Sequence, residues 1–228
     1  MEEPLTGAAP AGKVEAAPRS PWLAILKYAA LALVAAALAL LVWATLAASR
    51  GQNLVEKVAA GKKPAAPGFT LAVLWPSTAT WPKALLPALA DGKLSLAELR
   101  GRPVVLNFWA SWCTTCKEEA PILHAGARAH AGKVLFLGLD IQDLSGDARN
   151  FARSNAMNYV SVRDRDNSAY QAYGLTGVPE SYFIDARGRI VAHVPGAVSR
   201  ATLEQGIAAI TGPGGGGTLP AGAHQTRP

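Results

Sequence analysis

Pro103-Val104-Val105-Leu106-Asn107-Phe108-Trp109-Ala110-Ser111-Trp112-Cys113-Thr114-Thr115-Cys116-Lys117-Glu118-Glu119-Ala120-Pro121 decides the fold of this chain. Val104–Trp109 is a near-continuous apolar run, which predicts a strand covered on both faces. The stretch from Lys117 to Leu123 then predicts a helix. The two cysteines of the chain fall at the strand-to-helix turn between them. A CxxC in that setting is a redox signature rather than a structural staple.

The thiolate, not the thiol, attacks a disulfide. Cys113 at a helix N-terminus has its pKa lowered by unsatisfied N–H groups and by the helix dipole. Two intervening residues set Cys116 one turn on, where it can attack a mixed disulfide and release the partner. Cys113 is therefore expected as the exposed nucleophile and Cys116 as the sheltered resolving thiol. Half of a zinc site would need a second CxxC or a nearby His pair, and neither occurs. A purely structural disulfide across two residues would constrain little of the unfolded chain. Glu119, three residues after Cys116, shares its helix face. Desolvated there, its carboxyl would rise in pKa and exchange protons with the resolving thiol. The spacing equally admits an exposed first-turn acid that favours the helix N-terminus, the role expected for Glu118.

Outward from this stretch the pattern is α/β. Val134–Asp140 predicts a second buried strand, 148–155 a helix and Tyr159–Val162 a short strand. Ser168–Tyr173 predicts a helix ending at Gly174. Ser181–Asp185 and Ile190–Val194 predict a hairpin, and Ser199 caps a last helix over Arg200–Ile210. Upstream, Trp75-Pro76, Trp81-Pro82 and Leu86-Pro87 mark a loop or edge feature, and Ser95 caps a short helix.

The ends of the chain differ in kind. Residues 1–21 are rich in Ala, Pro and Gly and build no core. Residues 22–48 are almost wholly apolar, with Lys27 as the sole charge. About 20 such residues cross a bilayer as a helix. A cleaved signal peptide has a shorter apolar core of about 7–15 residues, so a retained anchor is expected despite Ala47-Ala48-Ser49. Basic residues flank both sides, so charge does not orient the span. Residues 49–67 read as a polar tether, 68–211 as one domain, and 212–228 as a disordered tail without apolar periodicity. The net charge is +6, but residues 68–211 carry fourteen basic against twelve acidic side chains. No basic-aromatic interleaving suggests nucleic acid.

The segments Ala66–Leu71, Asp91–Lys93, Leu99–Cys113 and Cys116–Pro121 resemble the TlpA/ResA/CcmG group, whose members are membrane-anchored thioredoxin-like proteins of the bacterial cell envelope. The resemblance covers about residues 66–210, and Tyr173–Asp185 is similar to the second hallmark of the group, closest to its CcmG (DsbE) branch. It implies a thioredoxin-like α/β fold, a central mixed sheet flanked by helices and preceded by one transmembrane helix. It implies a thiol–disulfide oxidoreductase, a protein-disulfide reductase without cofactor or metal. Cys113, Cys116 and Glu119 would be catalytic. Trp112, Val178 and Pro179 would bind substrate, with Val178-Pro179 as a cis bond against the dithiol. The implied partners are client proteins with disulfides, among them apocytochrome c, and a membrane electron donor of the DsbD/CcdA type. The implied location is the cytoplasmic membrane, single-pass, with the domain on the periplasmic side. Glu180 is expected as a solvated strand-end acid, with an acidic rim that selects partners as the alternative. Thr114-Thr115 replaces the usual pair containing Pro, which leaves the direction of electron flow open.

Two other chemistries match parts of the pattern. A copper-handling thioredoxin-like module would use thiolates for Cu(I), with His193 at a strand end as an added ligand and His124 and His130 on the helix surface. Related copper proteins use CxxxC, however. A peroxidase would need Thr or Ser three residues before its reactive Cys, the place that Cys113 holds before Cys116.

Overall fold

The computed structural model describes residues 21–212, 217–220, 222 and 224–226. The chain forms two compact units, Met1–Ala44 and Thr45–Pro228. Helix α1 runs over Pro21–Ala59. Its segment Ile25–Ala44, 20 residues with mean hydropathy 2.4, is long and apolar enough to cross a membrane. The helix continues through residues 49–59, which the composition presents as tether. That stretch contains no proline, and Leu54 and Val58, spaced one turn apart, are buried in the second unit's core. Gly61, at φ 71°, closes the helix in the left-handed conformation while the Lys62 N–H reaches back to the Lys57 carbonyl.

In the second unit the strands are β1 (Thr70–Pro76), β2 (Lys93–Ser95), β3 (Val104–Trp109), β4 (Leu135–Ile141), β5 (Val160–Asp164), β6 (Glu180–Ile184), β7 (Ile190–Val194) and β8 (Gly217–Thr218). They form one mixed sheet in the order β2-β1-β5-β4-β3-β6-β7-β8. Helices α2 (Thr114–Ala129), α3 (Ser145–Ser154), α4 (Ser168–Tyr173) and α5 (Arg200–Thr211) complete the unit. This is the thioredoxin-like arrangement. Strand β3 lies inside the sheet, parallel to β4 and antiparallel to β6. Every residue of β3 and β4 is buried, which is why both read as apolar runs. At Gly138 on β4 a side chain would run into the Trp109 indole and the Ser161 hydroxyl, which bond to each other at 3.0 Å.

The Trp/Pro segment closes β1 with Trp75-Pro76 and continues through a packed connection that holds a 3-10 helix over Lys83–Leu89. The Trp81 indole is buried and donates to the Phe136 carbonyl at 3.0 Å, and the Trp75 indole donates to the Met157 carbonyl at 2.9 Å. Each apolar ring thus brings its one polar group to a backbone acceptor.

The C-terminal segment differs from the disordered reading of 212–228. Its described residues continue the sheet: β8 pairs in parallel with β7, and Gln225 bridges to Val178. The partners are backbone groups on distant strands, which composition does not encode.

Candidate active site

The apolar strand β3 ends at Trp109, and the loop Ala110–Trp112 delivers Cys113 as the N-cap of α2. Asp143 holds this loop: its carboxylate accepts from the Ser111 N–H at 2.5 Å and from the Ser111 hydroxyl at 2.8 Å. The Trp112 indole donates to the carbonyl of Gln142, a residue in the left-handed conformation at φ 49°. The Cys113 sulfur accepts from the Cys116 N–H at 3.0 Å. The two cysteines are joined in a disulfide. Both sulfur residues are buried, Cys113 at 1% and Cys116 at 3% exposure, so Cys113 is not the open member of the pair in this structure.

Glu119 lies one turn beyond Cys116 on α2 and is 2% exposed. One carboxylate oxygen accepts from the Asn107 amide at 2.8 Å, the other from the Val198 N–H at 2.9 Å. Burial pushes its pKa from 4.5 up to about 8, against the two hydrogen bonds, which favour the charged form. Glu119 is therefore a buried acid, not an exposed first-turn charge. It also lines a pocket of about 420 Å³ with Ile122, Val198 and Thr202, walled in part by Pro220 and Gly222. Asn107 was legible only as the one polar residue in an apolar strand, and Val198 carried no signal because its contribution is a backbone N–H. A second carboxyl, Asp140 near the end of β4, is likewise raised to about 8 by burial, then by Asp143, with the Arg163 guanidinium opposing.

The Val178-Pro179 bond is cis. Val178 is buried, and its N–H and carbonyl exchange 2.7 Å hydrogen bonds with the carbonyl and N–H of Gln225. Glu180 opens β6 and is buried at 2% exposure, not solvated. It accepts from the Thr176 N–H at 3.1 Å and meets the His193 and His224 rings at 2.7 and 3.2 Å. The alternation of β6 puts Glu180 on the sheet face of Tyr182, whose register partner on β7 is His193, and there the His193 and His224 rings cover it. His193 is buried and stacks on Tyr182 with ring centroids 4.3 Å apart. His124 is also buried, not a surface residue. It packs edge-on against Tyr159, and burial pulls its pKa down to about 4, with Arg128 adding to the shift. His130 is partly exposed and pairs with Glu204.

A CxxC disulfide capping a helix, a buried carboxyl one turn behind it and a cis-proline define the thioredoxin-like class of redox protein. Residues 76–193 match the AhpC/TSA family, and the chain belongs to it. It is 26% identical over 131 residues to the thiol-disulfide oxidoreductase ResA of Bacillus thuringiensis subsp. konkukian, covering 57% of this chain and 76% of that one. It is 32% identical over 120 residues to the thiol:disulfide interchange protein DsbE of Pseudomonas fluorescens biotype C, covering 52% and 66%. A secreted Mycobacterium tuberculosis disulfide oxidoreductase homologous to E. coli DsbE superposes with a TM-score of 0.51 at 28% identity, over 62% of this chain and 95% of that one. Within its family the chain is a thiol–disulfide oxidoreductase of the ResA and DsbE type.

Proposed function

We propose that the domain is a membrane-tethered protein-disulfide reductase that works through Cys113 and Cys116. The observation that carries this reading is the helix-capping Cys113 sulfur with Cys116 and then the buried Glu119 each one turn further on. In the reduced protein the Cys113 thiolate attacks one sulfur of a client disulfide. A mixed disulfide forms, and the client's other sulfur leaves as a thiolate. Cys116 passes its proton to Glu119, attacks the Cys113 sulfur and expels the second client thiolate. Two electrons have moved to the client, whose sulfurs take up two protons, and the domain is left as the disulfide.

Val178 and Pro179 hold the client backbone, and Trp112 borders the approach. Clients are extracytoplasmic proteins with disulfides, including apocytochrome c. A membrane dithiol donor of the DsbD/CcdA type restores the reduced pair. The span Ile25–Ala44 holds the domain at the cytoplasmic membrane, on its periplasmic side, where thiols do not stay reduced unaided. The resemblance to ResA and DsbE supports this placement.

Reduction of a peptide disulfide by the full chain tests the proposal. Cys113→Ser is expected to bring the rate to the uncatalysed level. Full activity in that variant would contradict it.

A further inference from the structure

The C-terminal segment lies beyond the family match, which ends at residue 193. Its described residues lie on one side of the active site. Leu219 N–H donates to the His193 carbonyl and Gly222 N–H to the Ala197 carbonyl, both at 2.8 Å. Pro220 and Gly222 wall the pocket over Glu119. The His224 ring reaches Glu180, and the Gln225 side-chain oxygen accepts from the Thr115 N–H at 3.3 Å, in the turn between the cysteines. Gln225 takes both backbone groups of Val178 in an antiparallel bridge. A side chain at Gly177 would run into the Gln225 carbonyl and the His224 ring, so the chain is bare where the segment lies closest. Cys113, two residues before Thr115, is 1% exposed.

We propose that the described residues 217–220, 222 and 224–226 are a tethered stand-in for the client peptide, and that a client must displace them to reach Cys113. The inference rests on the reading that clients dock along Val178. An extended peptide binds an exposed edge through backbone hydrogen bonds, and those of Val178 are already used by Gln225. A strap on the same chain competes at an effective concentration in the millimolar range, with no partner needed. Only a client that presents a matching extended strand, or that is itself held at the membrane, then competes well. The device selects unfolded segments over compact proteins and small thiol compounds.

The test uses the full chain with Gln225→Pro, which removes the N–H given to Val178 and the side-chain oxygen given to Thr115. The probe is a short extended peptide carrying one cysteine as a mixed disulfide with glutathione. KM for this probe is expected to fall about tenfold, the scale of losing one backbone and one side-chain hydrogen bond, while kcat changes little. A synthetic peptide of sequence 217–226 is expected to raise the variant's KM competitively at millimolar concentration. His224→Ala, which keeps the backbone bridge, is expected to lower KM by a smaller factor. An unchanged KM in Gln225→Pro, or no inhibition by the added peptide, overturns the proposal. Should Cys113→Ser retain activity, the reductase reading fails separately. The strap is then judged by binding of a cysteine-free extended peptide at the Val178 amide in NMR. Tighter binding to Gln225→Pro than to the natural chain supports it, and equal binding overturns it.

Discussion

Two stretches are joined beside the disulfide by Gln225, whose side-chain oxygen accepts from the Thr115 N–H and whose backbone pairs with Val178. The strand–turn–helix Val104–Ala129 brings Asn107, Cys113, Cys116 and Glu119 together within one short piece of chain. The opposite wall takes Gly177–Pro179 from the approach to β6, Glu180 as its first residue, His193 from β7 and His224 and Gln225 from the C-terminal segment. In the proposed reaction the first stretch supplies the reacting groups and a buried acid, and the second supplies backbone edges and a buried Glu–His pair. The proposed chemistry is thus local in sequence, while access to it is not. Changes in the first should alter rate and pH dependence, and changes in the second should alter stability and client affinity.

Glu119→Gln strikes the first wall hardest. Loss of a positioned proton acceptor is expected to lower kcat/KM about 10²-fold at neutral pH and to flatten its pH profile. The same carboxyl couples to stability. Its folded pKa of about 8 lies above the ordinary 4.5, so the folded chain holds a proton that the unfolded chain has released. Stability therefore falls as pH rises from 4.5 towards 8, by at most about 1.4 kcal/mol per pH unit for this group, and levels off above. Asp140 adds the same sign between its ordinary 3.8 and about 8, whereas His124, lowered to about 4, acts oppositely below 6.5. The difference between wild type and Glu119→Gln in denaturant titrations across that range isolates Glu119. An identical slope in both would leave its carboxyl without a share.

On the second wall, Glu180→Ala strands the buried His193 ring and the Thr176 N–H. A loss of about 2 kcal/mol in unfolding free energy is expected, read by urea titration. A neutral result would remove the buried Glu–His pair from the account of that wall. Asn107→Ala returns to the first wall with a smaller effect. It removes a hydrogen bond that favours the charged carboxylate, so the Glu119 midpoint should move up by about one unit in the pH–rate profile. A midpoint that stays put or moves down would break the assignment of that midpoint to Glu119.

The same division governs what could be read from the sequence. The helix over Ser168–Tyr173 and its stop at Gly174 agree with the structure residue for residue, because turn and cap chemistry is local. Strands β3, β4 and β7 were legible as apolar runs, with boundaries shifted by a residue or less. The CxxC and Glu119 followed from helical spacing, yet spacing alone did not separate a buried Glu119 from an exposed one. Its burial comes from Asn107 and Val198, which join it only through folding. Glu180 and His124 were read as solvated because nothing near them in sequence shows that β7 and Tyr159 cover them. The C-terminal segment was illegible for a stronger reason: Gln225 pairs through its backbone, and a backbone leaves no mark in residue type.

The central claim is that Cys113 makes the first bond to the client. Mass spectrometry of the Cys116→Ser protein, quenched after mixing with a peptide disulfide, tests it most directly. One peptide joined to Cys113 per protein is the expected product, persisting because no resolving thiol remains. Absence of that adduct, while the wild type still reduces the same peptide, would contradict the account.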